Sequence, residues 1–252
     1  MSLPVLVLAG SRDGAEDPLA RLGRVAHKAL LPVAGRPMID RVLETLSTTT
    51  SLGPVYVSIE TPEALDSLDR VFTCVPTARG PSGSVALALD RIGAPLLITT
   101  ADHPLLQPLW ITEFLRDAEA SGCDLAVGIA LRPVIERDVK GTKRTYIPLS
   151  DMKFSGCNLF LLRTPRGGAV IELWQRLERD RKHPLKMART LGFGILLRAL
   201  FRRLDSATLT SRIRALTGAR VSLVPIAHGR AAVDVDKPQD LVLVEKLLAE
   251  AS

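Results

Sequence analysis

Residues 4–14 read PVLVLAGSRDG: an apolar run, Pro4-Val5-Leu6-Val7-Leu8-Ala9, that enters a turn at Gly10-Ser11-Arg12-Asp13-Gly14. A short, almost wholly apolar run closed by glycine is the pattern of a strand buried on both faces. The pattern recurs through the first half of the chain. Strands are predicted at 5–9, 55–59, 71–75, 96–100 and 125–129. Helices are predicted between them at 38–46, opened by Pro37, at 63–70, opened by Thr61-Pro62, at 84–91 and at 109–120. Strand–helix alternation with apolar strands predicts an α/β, Rossmann-like fold, a mostly parallel sheet with helices on both faces. Sheets of this kind bind ligands in the crevice at the carboxyl ends of their strands, and Gly10 and Asp102 both lie just past such an end.

The second half is less regular. Residues 131–149, LRPVIERDVKGTKRTYIPL, are charged and interrupted by Pro133, Gly141 and Pro148, which predicts a loop or short hairpin over the site. A strand at 155–162 and a helix from about 165 to 181 follow. Residues 184–216 read as helical with breaks at Gly192 and Gly194. Late strands at 221–226 and 232–235 precede a helix at 238–250. There is no internal repeat, and one domain over 1–252 is expected, carrying a basic helical insertion at about 165–220.

The chain of 252 residues, 46% hydrophobic and 24% charged, has the composition of a globular protein with a sizeable core. No apolar run is long enough to span a bilayer, and the first apolar run lacks the basic flank of a signal peptide. Cys74, Cys123 and Cys157 are scattered without metal spacing, which predicts free thiols in a reducing cytosol. His27, His103, His183 and His228 form no metal motif. The net charge of +6 is unevenly spread. Residues 176–220 hold twelve Lys and Arg against three Asp and Glu, a local +9 that leaves −3 for the remainder. With only 4% aromatic residues and no binding motif, nucleic acid is not an expected partner.

Four positions carry the chemistry. After the Gly10 loop come Lys28 in HKALLPVAGRP, Asp102 in LLITTADHPLL and Asp236 in VDVDKPQDL, each aspartate closing a strand-like run. Glycine lets backbone approach phosphates, lysine offers them a point charge, and Mg²⁺ takes one or two carboxylates together with substrate phosphates. The set suits a nucleoside triphosphate and its Mg²⁺. Each residue also has a purely structural reading: Asp102 can cap the turn that follows it, and Ser82 or Ser84 can cap a helix. Asp234 is a further candidate ligand, because strand alternation puts it on the face of Asp236. The dinucleotide fingerprint and the phosphate-cradling GxxxxGK[ST] loop are both absent.

The stretch HKALLPVAGRPMIDRVLETL resembles the end of the signature of MobA-like nucleotidyltransferases: a lysine (Lys28), an apolar turn (Leu30-Leu31-Pro32-Val33), Gly35-Arg36-Pro37 and a helix. The resemblance continues through TTADHPLL, FSGCNLFLL and VDVDKPQDL, covering about 3–162 and, as a second block, 221–250. It implies a GT-A-like nucleotidyltransferase fold and specific roles. Leu8, Ala9, Gly10 and Ser11 would line the nucleotide through their backbone, and Lys28 would hold phosphates and stabilise charge. The Ser82-Gly83-Ser84 turn would touch the base or ribose. Asp102 and Asp236 would bind Mg²⁺, and Asn158 would face the acceptor. Outside the family pattern, His103 is a candidate acceptor contact because Mg²⁺ takes oxygen ligands, and Lys186 in HPLKMA is another. Ser11 stands where the family usually has a second glycine, and Glu16 and Asp17 fall near the place of its arginine. Arg12 is the favoured replacement for that charge, ahead of Arg21 and Arg24.

The implied reaction joins an NTP to a small phosphorylated acceptor and releases pyrophosphate. The Ser84-Val85 step resembles the cytidylyltransferase members more than the guanylyltransferases, and that resemblance implies CTP. Two other readings stand beside it. One is a nucleotide-sugar glycosyltransferase, against which the Asp-x-Asp pair is missing at Asp102. The other is a nucleotide-binding regulatory module with a degraded loop, to which Ser11 lends weight. Leu197, Leu200, Phe201 and Leu204 form one stripe, with Arg198, Arg202 and Arg203 off it. That pattern fits either a helix packed on the domain with a solvated arginine face, or a surface helix over 186–204 meeting anionic lipid or a phosphorylated acceptor. A cytoplasmic protein is expected, free or peripheral to the inner face of a membrane.

Overall fold

The computed structural model describes residues 2–11, 16–141, 145–180 and 182–250. In chain order the strands are β1 (Leu3–Leu8), β2 (Pro32–Val33), β3 (Arg36–Pro37), β4 (Leu52–Ser58), β5 (Thr73–Val75), β6 (Leu96–Thr100), β7 (Leu125–Leu131), β8 (Ile147–Pro148), β9 (Lys153–Leu162) and β10 (Val221–Pro225). The helices are α1 (Pro18–Gly23), α2 (Met38–Thr48), α3 (Pro81–Ile92), α4 (Pro108–Ala120), α5 (Arg132–Asp138), α6 (Gly168–Asp180), α7 (Pro184–Leu191), α8 (Phe193–Leu200), α9 (Ser206–Thr217) and α10 (Pro238–Ala249). Among the described residues no helix is long and apolar enough to cross a membrane.

The main sheet runs β10-β7-β9-β6-β1-β4-β5, with β8 added beside β9. Every neighbouring pair on that path is parallel except those made by β9, which runs against both β6 and β7. This is the mostly parallel, Rossmann-like α/β sheet expected. Alternation along the strands divides the core. Val5, Val7, Val57 and Leu97 face Met38, Ile39 and Val42 of α2 and Trp110 and Phe114 of α4. Leu6, Leu96 and Ile98 face Val85 and Ala88 of α3 and Ile171 of α6. All three cysteines are free, with Cys123 and Cys157 buried.

Several expected elements come out differently. The helix predicted at 63–70 is only a 3₁₀ turn, Pro62–Leu65, because Leu65 is the sole buried residue there and no apolar stripe repays a full helix. In the segment read as a loop, Pro133 sits in the first turn of α5, where its missing N–H costs nothing, so it opens a helix. Gly194 lies within α8. The break falls at Gly192, whose φ of 95° is the left-handed conformation that glycine adopts freely. No strand forms at 232–235. That segment leaves a 3₁₀ turn, Gly229–Ala232, and its one described backbone bond to the sheet edge runs from the Val235 N–H to the Asp102 carbonyl at 2.9 Å.

Outside the sheet, a charge network ties α2 to its surroundings. Asp40 accepts from Arg70 Nε at 2.7 Å and Arg36 Nε at 3.1 Å, while Glu44 accepts from Arg36 Nη1 at 2.8 Å. The Arg70 hydrogen bond, with Arg36 adding to it against a partial burial penalty, holds the Asp40 carboxyl below its usual range. A depressed carboxyl stabilises the fold above its unfolded pKa and loses that contribution as pH falls through its folded pKa. Asp40→Asn is therefore expected to cost about 1 kcal/mol at neutral pH. In urea unfolding, the gap to wild type should close as pH drops below about 4. A gap that stays constant from neutral to acid pH would show that the network contributes nothing through charge.

Candidate functional site

Strand register builds the crevice. Leu8 of β1 pairs with both Ser58 of β4 and Thr100 of β6. Gly10, Glu60 and Asp102 each stand two residues past those level positions, side by side at the carboxyl edge of three adjacent strands. The ladder continues one step beyond the strands through Ala9 N–H to the Ser58 carbonyl and Ala101 N–H to the Leu8 carbonyl, both 2.9 Å.

Lys28 enters this edge on a 3₁₀ turn, Lys28–Leu30. Its ammonium donates to Asp102 Oδ2 at 3.2 Å and to Asp236 Oδ1 at 3.1 Å. Asp236 is brought there by the Val235–Asp102 backbone bond, and its own N–H is held by the Asp240 carboxylate at 3.1 Å. Burial works to lower the Lys28 pKa, but the Asp102 and Asp236 charges outweigh it and hold the ammonium above its usual value. Burial pushes the Asp102 carboxyl up, against the Lys28 charge and the Thr100 hydroxyl and reinforced by Asp234 and Asp236. The second oxygen of Asp102, Oδ1, is buried and has no hydrogen-bond partner among the described residues.

This donor set fits Mg²⁺. Two carboxylates already enclose a cation, the Lys28 ammonium, and one of them keeps an unused buried oxygen. Among the described residues no three His, Cys, Asp or Glu side chains form a metal cage. Mg²⁺ needs none, because it completes its octahedron with water and substrate phosphates.

The Gly10 loop is held by a residue that sequence reasoning missed. Glu60 accepts the Ser11 N–H with both oxygens, at 3.0 and 3.2 Å. His27 Nδ1 accepts the Ala29 N–H at 3.1 Å, so the ring proton is assigned to Nε2, which donates to Glu60 Oε1 at 3.1 Å. Glu60 thus joins the Gly10 loop to the turn bearing Lys28. The signal was present in the sequence: Glu60 closes a strand-like run just as Asp102 does. Asp17, near the family's arginine position, caps α1 by accepting the Leu19 N–H at 2.8 Å. Arg21 pairs with Glu16, and Arg24 ends α1 in the left-handed conformation. Arg12 lies outside the described residues.

The other expected contacts divide. Asn158 sits where β9 breaks register with β7, at φ 50°, a left-handed conformation that asparagine tolerates. Its Nδ2 donates to Asp234 Oδ2 at 3.2 Å, which puts both beside the carboxylate cluster. The Ser82-Gly83-Ser84 turn does open α3, but its hydroxyls are engaged inside the protein. Ser82 Oγ donates to Glu178 Oε2 at 2.5 Å, and Ser84 Oγ accepts the Ala78 N–H at 3.0 Å. Contact with base or ribose through these hydroxyls does not fit that geometry. The backbone is engaged as well, with the Ser82 N–H donating to Glu178 Oε2 at 3.3 Å and the Ser84 N–H to the Gly80 carbonyl at 3.2 Å. Glu178, 96 residues away on α6, carried no sequence signal for this pairing. His103 is a correction. Its ring is 1% exposed and stacks on Trp110, with centroids 6.2 Å apart, so it has no surface to offer an acceptor. Lys186 is exposed on α7, and no described contact ties it to the crevice. A cavity of about 370 Å³ lined by Gln107, Trp110, Arg137, His228 and Arg230 shares no residue with the Lys28 cluster.

Comparison with known proteins bears on the family and the fold. The model of the MobA-like NTP transferase domain matches residues 5–221. A hypothetical transferase from Thermus thermophilus is 30% identical, with a TM-score of 0.80 over 96% of this chain and 100% of that one. The 2-C-methyl-D-erythritol 4-phosphate cytidylyltransferase of Thermus thermophilus superposes at TM-score 0.55 with 18% identity, covering 99% of this chain and 100% of the other. Molybdopterin-guanine dinucleotide biosynthesis protein A of Archaeoglobus fulgidus superposes at 0.54 with 15% identity, over 98% and 100%. At such identities the last two share the fold. No curated protein matches the sequence.

The His27–Glu60 link generates a prediction. His27→Ala removes the side-chain cap of the Lys28 turn and should cost roughly 1 kcal/mol in urea unfolding. His27→Asn, which keeps a capping acceptor, should recover most of that loss. Equal stability of wild type and the alanine variant would show that the cap is idle.

Proposed function

The chain belongs to the MobA-like NTP transferase family, and from that premise we propose that it joins CTP to a small phosphorylated acceptor, with Mg²⁺ as cofactor. The observation that carries this reading is the Lys28 ammonium shared by Asp102 and Asp236 at the carboxyl edge of the sheet. A phosphate oxygen of the acceptor bonds to the α-phosphorus, the bond to the bridging oxygen of the β-phosphate breaks, and pyrophosphate leaves with the electron pair. The acceptor phosphate is already an anion, so no general base is required. The protein's work is positioning and charge neutralisation.

In this reading Asp102 and Asp236 hold Mg²⁺, with Asp234 nearby. A cation held by these carboxylates would supply neutralisation of the phosphate charge. Lys28 offers its point charge to the phosphate oxygens and to the charge that develops on them. Leu8, Ala9, Gly10 and Ser11 line the nucleotide through their backbone, and Arg12 stabilises the pyrophosphate. Asn158, steadied by Asp234, serves the acceptor side. The preference for CTP is supported by the Ser84-Val85 opening of α3 and by the cytidylyltransferases among the structural neighbours.

A pyrophosphate-release screen of the four NTPs against phosphorylated acceptors, with and without Mg²⁺, tests the proposal. Release should be fastest with CTP and need the metal. Turnover of a nucleotide-sugar without pyrophosphate would make the chain a glycosyltransferase, and nucleotide binding without any release would make it a regulatory module. Asp102→Ala and Asp236→Ala should each abolish turnover while the far-UV spectrum stays that of wild type. Lys28→Ala should lower kcat by roughly two to three orders of magnitude, the scale of a lost oxyanion contact, with a smaller change in KM. A Lys28→Ala enzyme with unchanged kcat and only a raised KM would contradict the transition-state role.

A further inference from the structure

Three residues of the apolar stripe in the basic segment, Leu197, Leu200 and Phe201, face solvent, while the fourth, Leu204, is buried. Of eleven exposed large hydrophobic residues on the described surface, five fall between 185 and 201: Leu185, Phe193, Leu197, Leu200 and Phe201, each 52% to 74% exposed. Phe193, Leu197, Leu200 and Phe201 follow helical spacing along α8 and so share one face. The opposite side of α8 turns inward, where Ile195 packs on the cluster of Ile129, Leu149, Phe154 and Leu204. No residue of α8 is buried. The bend at Gly192 joins α7 to α8, and Arg212 Nε holds the end of α7 by donating to the Leu191 carbonyl at 2.7 Å. The hairpin is thus fixed to the domain along one side and bare along the other.

Charge on the hairpin has one sign. Lys182, Lys186, Arg189, Arg198, Arg202 and Arg203 are all exposed, and no Asp or Glu occurs from 182 to 204. None of the six is in a described ion pair. Exposed Leu and Phe flanked by uncompensated Lys and Arg, on helices too short to span a bilayer, is the chemistry of an element that lies in a membrane interface. We propose that the α7–α8 hairpin docks this protein on an anionic lipid surface, the apolar stripe entering the headgroup boundary and the six cations meeting the headgroups. A second copy fits this face poorly, because pairing it with itself would set six cations against six with no carboxylate between them. Nucleic acid would answer the cations and leave the apolar stripe in water. The inference stands apart from the proposed chemistry, because it concerns where the protein sits and not what it joins.

Co-sedimentation of the full chain with phosphatidylcholine vesicles, with and without phosphatidylglycerol, tests it. Wild type should bind only vesicles containing phosphatidylglycerol, and binding should weaken steeply as salt rises. At about fivefold per cation near such a surface, the triple reversal R198E/R202E/R203E should lower partitioning at least about 100-fold. L197S/L200S/F201S keeps every charge, yet should lower it at least about tenfold, because the apolar insertion is lost. Leu200→Ser alone serves if the triple serine variant melts early, and should bind more weakly than wild type. Three results would overturn the proposal: no binding to phosphatidylglycerol vesicles, binding that survives charge reversal, or a stable wild-type dimer in solution that the serine variants dissociate.

Discussion

One ammonium between two carboxylates organises this molecule. Lys28 reaches Asp102 across 74 residues of sequence and Asp236 across 208, so a single hydrogen-bonded cluster joins the entry turn, the central strand β6 and the run into the last helix. Two of the three groups, Lys28 and Asp102, carry a burial penalty on their charged form. Burial works against the Lys28 ammonium, which the two carboxylates more than offset, and against the Asp102 carboxylate, whose pKa stays raised although the Lys28 charge opposes the shift. Removing one member of such a cluster leaves an uncompensated charge in a partly buried place, which is costly. A divalent cation and a chain of phosphates bring the same charges in another arrangement, so a resting ion cluster is already the outline of a site for them.

The backbone makes the cluster possible before any side chain acts. Because Leu8 is level with both Ser58 and Thr100, the first residues free of the sheet on three neighbouring strands project into one crevice. Glu60 and His27 then bind the Ser11 amide to the turn of Lys28, a pairing that holds the loop in shape without the second glycine of the family pattern. Serine, with fewer backbone conformations open to it than glycine, loses less entropy when the loop is pinned in this way.

Much of this was readable from sequence, for a definite reason. Strand positions followed from apolar runs whose period and length are local properties; Gly10, Asp102 and Asp236 stood out because each closes or follows such a run, and Lys28 because of the motif HKALLPVAGRP around it. The misreadings arose where tertiary contacts decide. Val233 and Val235 look like strand residues, yet they are buried by a loop that makes one backbone bond to Asp102. His103 looks like a site residue because it follows Asp102, yet stacking on Trp110 takes its ring into the core. Glu178 meets Ser82 only because α6 packs on α3, which no local pattern announces. The stripe through Leu197, Leu200 and Phe201 was visible as a stripe, but whether it faced core or solvent depended on Ile195 filling the inner side.

The central claim is that Asp102 and Asp236 form one divalent-cation site completed by a nucleoside triphosphate. Mn²⁺ can stand in for Mg²⁺, with its free-ion electron paramagnetic resonance signal followed as metal is titrated into protein and a non-hydrolysable CTP analogue. The account predicts that wild type with the analogue takes up Mn²⁺ beyond what the analogue binds by itself. It also predicts that Asp102→Asn/Asp236→Asn, which keeps the shape and removes the charge, adds nothing to the analogue alone. Equal uptake by wild type and the double variant would contradict it.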